Sequence, residues 1–253
     1  MKKFWGFLLV IVLMTSCGEY QSLLKSNDYN LVYKKAIEYY NKGDYQRAMN
    51  LLDGVRSVFV GQAKAQNIAY YRAFCSYNMK DYQIASDLFK QFIQTYPESS
   101  FAEECLYMMG FCDYKASPKP RLDQQVTEKA IREFQLYLSR YPYSMRKDKV
   151  NTYMDEMRDK LSYKAYLSAK NYYLREHYKA AVISLQNCLK DYPGSKYREE
   201  IMYMLFVSKY QMAVNSVEDK KVERYNNARE EYYYFADEYP NSRYAADVKK
   251  MYE

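Results

Sequence analysis

Cys17 is the residue whose surroundings specify a covalent reaction. It follows Met14-Thr15-Ser16, behind a basic start (Lys2, Lys3) and an apolar run from Phe4 to Met14. A basic zone, an apolar zone and then small residues are the order of a secretory signal. A Cys directly after the small residues predicts lipid processing. The thiol takes diacylglycerol, the chain is cut before Cys17, and the freed amine is acylated. The apolar run, about 11 residues, is too short for a mature membrane-spanning helix. Acyl chains, each adding about 0.8 kcal/mol per buried CH2, would anchor the chain stably when two or three are present. Gly18 follows the Cys where Asp would retain many lipoproteins in the inner membrane, so the outer membrane is expected. The alternative is an ordinary signal cut elsewhere, with Cys17 incidental.

No other residue pattern points to catalysis, and no cofactor or metal is expected beyond the covalent lipid. His177 is the single histidine and falls in a turn between helical patterns, where a solvated role fits. No phosphate-cradling Gly loop, nucleophile elbow or zinc-spaced cluster is present. The acid pairs Glu103-Glu104 and Glu199-Glu200 read as solvated helix faces. Cys75, Cys105, Cys112 and Cys188 lie inside helical patterns without ligand spacing and read as small buried hydrophobes. A disulfide is open in an extracytoplasmic compartment, but sequence cannot pair them.

Composition narrows the class further. The 253-residue chain has a formal charge of +7, and losing residues 1–16 with Lys2 and Lys3 leaves 237 residues at +5. That is below the clustered basicity of a nucleic-acid binder, so no nucleic-acid partner is expected. Seven Gly and six Pro are few for a β-rich protein, whereas 33 Tyr is a large excess.

The elements that must carry these residues are written as a repeat. Tyr96-Pro97-Glu98-Ser99, Tyr141-Pro142-Tyr143-Ser144, Tyr192-Pro193-Gly194-Ser195 and Tyr239-Pro240-Asn241-Ser242 share one phrase. Eleven residues before each Tyr stands Ala85, Ala130, Ala181 or Ala228, and four after each Ala stands Phe89, Phe134, Leu185 or Tyr232. Ala48 and Leu52 begin the same phrase, with Phe59-Val60 in place of Tyr-Pro. The spacing predicts a helix with a small residue at a close crossing and a bulky one a turn later. Pro97, Pro142, Pro193 and Pro240 end it, and the Ser after each Pro is expected to cap the next helix.

A preceding helix carries tyrosines at i and i+7: Tyr33/Tyr40, Tyr70/Tyr77, Tyr107/Tyr114, Tyr166/Tyr173 and Tyr203/Tyr210. Ala36, Ala73, Gly110 and Ala169 sit three after the first Tyr; the fifth copy has Phe206 there. Residues seven apart lie on one helix face, about 20° apart. Repeated, they make two aromatic rows. Tyr33, Tyr40, Tyr70, Tyr77, Tyr107 and Tyr114 are candidates for lining a peptide groove, since Tyr offers a rigid ring with a polar tip. The same rings could equally fill the space between helices, and some are expected in each role. Short turns at Lys42–Tyr45, Lys80–Tyr82 and Glu176–Tyr178 join the pairs, and longer insertions are expected over 116–125 and 214–222.

Small-x2-Tyr…Ala-x3-Phe…Pro helix pairs resemble tetratricopeptide repeats. The resemblance implies an all-α, right-handed superhelical solenoid of five helix pairs with a C-terminal capping helix over 241–253. The expected organisation is a signal peptide at 1–16, a lipidated tether at 17–29, repeats 1–3 at 30–148 and repeats 4–5 with the cap at 149–253. Three stretches narrow the family: Phe89-Lys-Gln-Phe-Ile-Gln-Thr-Tyr96-Pro97; Arg121-Leu-Asp123-Gln124 leading to Thr127-Glu-Lys-Ala130; and Leu161 to Tyr173 running into Tyr178-Lys-Ala-Ala181 and Tyr192-Pro193. With the lipid signal, they resemble the BamD (ComL) family of the outer-membrane β-barrel assembly machinery.

That resemblance implies a scaffold on the periplasmic face of the outer membrane. Its C-terminal repeats would hold the barrel subunit BamA, with other complex lipoproteins as partners. Its N-terminal repeats would receive the aromatic-rich terminal strand of unfolded outer-membrane proteins. Ser184 departs from the family, where relatives often carry Arg at a position tied to the barrel subunit. Two other readings compete: a periplasmic tetratricopeptide scaffold lipoprotein of another envelope complex, and a glycan-binding protein or enzyme. The last would want Trp platforms or paired carboxylates, and Trp5 is the single Trp.

Overall fold

The computed structural model describes residues 18–253, so the signal segment 1–16 and Cys17 lie outside the described residues. Among the described residues the regular structure is entirely helical. After a short helical stretch at 18–24 come α1 (Tyr29–Asn41), α2 (Tyr45–Val55), α3 (Ala63–Asn78), α4 (Tyr82–Thr95), α5 (Ala102–Ala116), α6 (Gln125–Arg140), α7 (Lys147–Leu174), α8 (Tyr178–Asp191), α9 (Arg198–Val214), α10 (Glu218–Glu238) and α11 (Ala245–Tyr252). These are five tetratricopeptide-like helix pairs, α1/α2 to α9/α10, followed by a capping helix.

The chain forms two compact units, one of residues 18–118 and 125–153, the other of 119–124 and 154–253. The division falls at Tyr153, inside α7, and not at 148/149. In the first unit, Ala36 and Ala48 are fully buried with Leu51, Leu52 and Val55 in the core of the first pair. In the second, Ala169, Ala181, Leu185 and Cys188 pack with Ile201, Met204 and Leu205, and Met202, Phe206, Val207 and Phe235 pack with Val248 of the cap.

The small positions are buried where helices cross. Ala48, Ala85, Ala130 and Ala181 have no exposed surface and Ala228 has 2%. Gly110 shows how close a crossing comes: a Cβ there would lie 2.9 Å from the Phe134 ring. In the fifth pair Phe206 fills that slot, and Tyr232, its ring 6.3 Å away, is half-buried. Cys75, Cys105, Cys112 and Cys188 are buried free thiols, and burial pushes the Cys75 and Cys105 thiols up to about 12.

The turn within a pair follows one geometry. Gly43, Lys80 and Glu176 adopt φ of +80°, +67° and +60°. The next residue donates its N–H five residues back, Asp44 to Tyr39, Asp81 to Ser76 and His177 to Tyr172, which satisfies helix-end carbonyls. Between pairs, Tyr96, Tyr192 and Tyr239 before Pro all stop the helix at φ near −130° and ψ near +60° (−129/59, −132/65, −131/61), because proline crowds the preceding residue out of the helical region.

Four expectations change. Residues 18–24 are not a loose tether: Tyr20 and Leu23 are buried in the first-pair core, and Asn50 donates to the Tyr20 hydroxyl at 3.0 Å. Helix α7, 28 residues and about 42 Å long, is a single helix that runs through the 148/149 boundary expected between the repeats. The second insertion shrinks to residues 215–217, because α10 already starts at Glu218. The Ser of each Tyr-Pro-x-Ser phrase does not cap the next helix. The capping residues Phe101, Tyr197 and Tyr244 make no side-chain cap bond, and the Ser accepts instead from the N–H two residues on, as in Phe101 to Ser99 at 3.2 Å.

Two stability outcomes follow from these crossings and turns. Ala85→Leu and Ala181→Leu should each cost about 1–3 kcal/mol by overpacking, whereas Ser184→Leu, at a half-exposed site, should change little. Urea unfolding midpoints would show the contrast, and unchanged midpoints in both Ala variants would break the repeat register. Conversely, Lys80→Gly and Glu176→Gly should each gain about 1 kcal/mol by relieving a left-handed non-Gly backbone, read as a higher Tm.

Candidate protein-binding surface

The two tyrosine rows have different surroundings. In the first row each ring is covered by the residue five positions after the Tyr of the following Tyr-Pro turn. Phe101 covers Tyr70 at 4.6 Å, Tyr197 covers Tyr166 at 4.4 Å and Tyr244 covers Tyr203 at 4.1 Å between ring centres. Arg146 does the same for Tyr107, its guanidinium 4.8 Å over the ring. Tyr33 has Phe59 at 6.1 Å and the Lys64 ammonium at 5.7 Å. Tyr107 and Tyr166 are buried. These are clasps between successive repeats, of offset-stacked or cation–π type.

Hydrogen bonds reinforce each clasp. The Tyr70 hydroxyl donates to Glu104 Oε2 at 2.8 Å, and Tyr166 to Glu200 Oε2 at 2.9 Å. Each carboxylate belongs to the next repeat, 34 residues on. The Ser of the turn also reaches back, always to the residue four before the first Tyr. Ser99 bonds Gln66 at 2.9 Å, Ser144 bonds Glu103 at 2.7 Å, Ser195 meets Ser162 at 2.7 Å and Ser242 bonds Glu199 at 2.6 Å. Hydrogen bonding from Ser144 and Tyr137 holds the Glu103 carboxyl below its ordinary range.

The second row keeps more of its surface. Tyr40, Tyr77 and Tyr114 are half-buried. Tyr40 meets Tyr45 at 5.5 Å and Tyr71 at 4.9 Å; Tyr77 meets Tyr82 at 5.9 Å and Phe111 at 6.2 Å; Tyr114 stacks on Tyr153 at 4.4 Å. The second row of the first unit is therefore an aromatic band with one side open. Burial pushes the Tyr40 phenol up to about 12, so its hydroxyl stays a donor at neutral pH. Among the six candidate rings, Tyr33, Tyr70 and Tyr107 serve the clasps, and Tyr40, Tyr77 and Tyr114 form the band.

A buried charge cluster beneath α4–α6 escaped the sequence reading. Asp113 is 1% exposed; it accepts from Ser86 at 3.0 Å and pairs with Lys129 at 2.9 Å. Glu133, one helical turn beyond Lys129, lies 3.7 Å from it. Burial, together with the neighbouring Asp113, pushes the Glu133 carboxyl up to about 8. A neutral Glu133 beside one ion pair leaves the cluster without net charge, the cheapest way to bury two carboxyl groups against the partly exposed Lys129. Its only sequence signal is the Lys129–Glu133 spacing, which also fits a solvated helix face. The sign for stability follows. The native state holds a proton that the unfolded chain releases near 4.5, so stability falls as pH rises from about 4.5 to about 8. Glu133→Gln should flatten the urea midpoint across that window; an unchanged slope would place the proton elsewhere.

Comparison with known proteins places this arrangement. A family model described as an outer membrane lipoprotein (YfiO) matches residues 25–200 and 165–253. No curated protein matches in sequence. Among solved structures, a TPR-repeat protein from Bacteroides fragilis is similar at 12% identity and TM-score 0.43, over 90% of this chain and 97% of that one. The TPR2AB domain of yeast Sti1, solved as an Hsp90 complex, is similar at 14% identity and TM-score 0.41, over 88% and 96%. No helix among the described residues is long and apolar enough to cross a membrane. The chain belongs to the YfiO family of outer membrane lipoproteins, the BamD family that its sequence phrases resemble.

Proposed function

We propose that this protein is a lipid-anchored scaffold of the outer-membrane β-barrel assembly machinery. Its family and its helix-pair fold make it a protein-interaction module of the outer membrane. The finer reading is that repeats 1–3 receive aromatic segments of unfolded barrel proteins, and that repeats 4–5 with the cap hold the barrel subunit BamA. The observation that carries the client role is the open band of Tyr40, Tyr77 and Tyr114, with Phe111 and Tyr153 beside it. Rings already fixed by edge and stacking contacts lose little freedom on binding, so an aromatic ligand gains more of its contact energy. Ser184, where the resemblance implies that relatives often carry Arg, favours the second reading, a scaffold of another envelope complex.

Cys17 would carry the anchor. Two residues separate it from Tyr20, three steps along the chain and a reach of about 11 Å at most, and Tyr20 is packed in the first-pair core. Lipid on Cys17 would therefore hold the first helix pair at the membrane surface.

Two experiments test this reading. Cys17→Ser should give a folded protein released from membranes, and a clickable palmitate should label wild type only; equal labelling of the variant would sink the anchor. Tyr40→Ala with Tyr77→Ala should weaken a peptide copied from a barrel protein's terminal strand. At about 1 kcal/mol per ring, fluorescence anisotropy should show an affinity loss of about tenfold or more with helicity kept. The barrel subunit should still co-purify, and normal peptide affinity would remove the client role.

A further inference from the structure

The four Tyr-Pro-x-Ser turns are built alike, yet the one that ends the third helix pair differs in what it shows to solvent. The residues flanking the Ser are Glu98 and Ser100, Gly194 and Lys196, and Asn241 and Arg243 in the other copies. In the third they are Tyr143 and Met145, which are 98% and 102% exposed. Charge differs in the same direction. From the residue before the Tyr, ten residues carry net −3 in the second copy (95–104) and −1 in each of the fourth (191–200) and fifth (238–247). In the third (140–149), Arg140, Arg146, Lys147 and Lys149 stand against Asp148 alone, net +3.

The turn is also held rigidly. The Ser144 hydroxyl lies 2.7 Å from Glu103 and 2.5 Å from the Tyr137 hydroxyl, and it accepts from the Arg146 N–H at 3.2 Å. Arg146 is fixed over Tyr107 and lies 3.6 Å from Glu104. Arg140 donates to the Pro97 carbonyl at 3.0 Å. Tyr143 and Met145 therefore project from a residue tied inward at three points. Nothing within the repeat requires them, since the three sister turns tie their Ser to the preceding helix and to the N–H two residues on without an apolar side chain beside it.

We propose that this turn is a second docking point, distinct from the aromatic band, that inserts Tyr143 and Met145 into an apolar cleft rimmed by carboxylates on a partner protein. Tyr, Met and Arg are the residues enriched at interface centres, and a preorganised turn forfeits little entropy on binding. The cations of 140–149 choose an acidic rim. Lys147, exposed and in no ion pair among the described residues, is the cation most available to it.

The test uses the full-length protein in its own cells with a benzophenone amino acid at position 143, and at 98 and 194 as controls. The expected result is a protein adduct from position 143 alone, mapped to a segment containing carboxylates. Tyr143→Ala with Met145→Ala should lower recovery of that partner at least tenfold at unchanged Tm. Lys147→Glu should lose the adduct, and reversing a mapped carboxylate of the partner to Lys should restore it. Glu at the start of α7 suits the helix dipole, so unfolding would not explain the loss. The proposal is overturned by no adduct, by equal adducts at the control turns, by indifference to charge reversal, or by adducts to lipid or to a second copy alone. A partner from outside the outer-membrane assembly machinery would overturn the assembly reading above and leave this docking point standing.

Discussion

The contact between one repeat's first tyrosine and the next repeat's turn is what the rest of the fold depends on. A helix pair of this size buries too little on its own, and stacking neighbours completes its core. The clasp sets how neighbours stack. Phe101, Arg146, Tyr197 and Tyr244 each sit within 4.8 Å of the ring they cover. The Ser two residues earlier binds the same preceding helix, one turn before that ring. Two contacts a turn apart along one helix define both position and tilt. The small residues can then bring helices as close as Gly110 comes to Phe134.

Arginine at one clasp shows what the position needs. Arg146 replaces an aromatic residue yet keeps the ring covered, because a planar guanidinium stacks on an aromatic face much as a ring does. It adds a charge that pairs with Glu104. This copy leads into α7, where the pattern stretches. Counting from Ser144, the first-tyrosine slot would fall at Thr152, while Tyr166 occupies that slot for the fourth pair. The two are 14 residues apart, two heptads, so they share a helix face within about 40°. One helix thus carries the pattern of the first unit at its start and that of the second at its end. Lys164 Nζ, farther along α7, donates to the Leu122 carbonyl at 2.8 Å, which groups the 119–124 loop with the second unit.

The aromatic excess divides by task. First-row rings lie under their clasps, while second-row rings bridge a helix to its pair partner and to the next repeat. A tyrosine that bridges two helices keeps one edge toward water, so the band in the first unit joins packing to recognition. Groove and core, open alternatives for these rings, are two faces of the same side chain at Tyr40, Tyr77 and Tyr114.

By itself the sequence determined the helix pairs, their order, the small residues at crossings and the proline-ended helices. Those features are local. A period of 3.6 residues, the missing N–H of Pro97 and the small side chain of Ala85 act within a turn or two of their own position. The family too was legible, through the phrases at 89–97, 121–130 and 161–193. The tertiary structure decided what depends on residues far apart in the chain, from 16 positions between Asp113 and Lys129 to 43 between Ser242 and Glu199: the clasp residues, the inward-reaching serines, the neutral cluster of Asp113, Lys129 and Glu133, and the docking of Tyr20 on the first pair. Lys129 and Glu133 look like any surface pair until α4 and α5 close over them, and Phe101 looks like any helix-start residue until Tyr70 lies beneath it. Burial and desolvation arise only once helices meet, and no local spacing encodes which ones do.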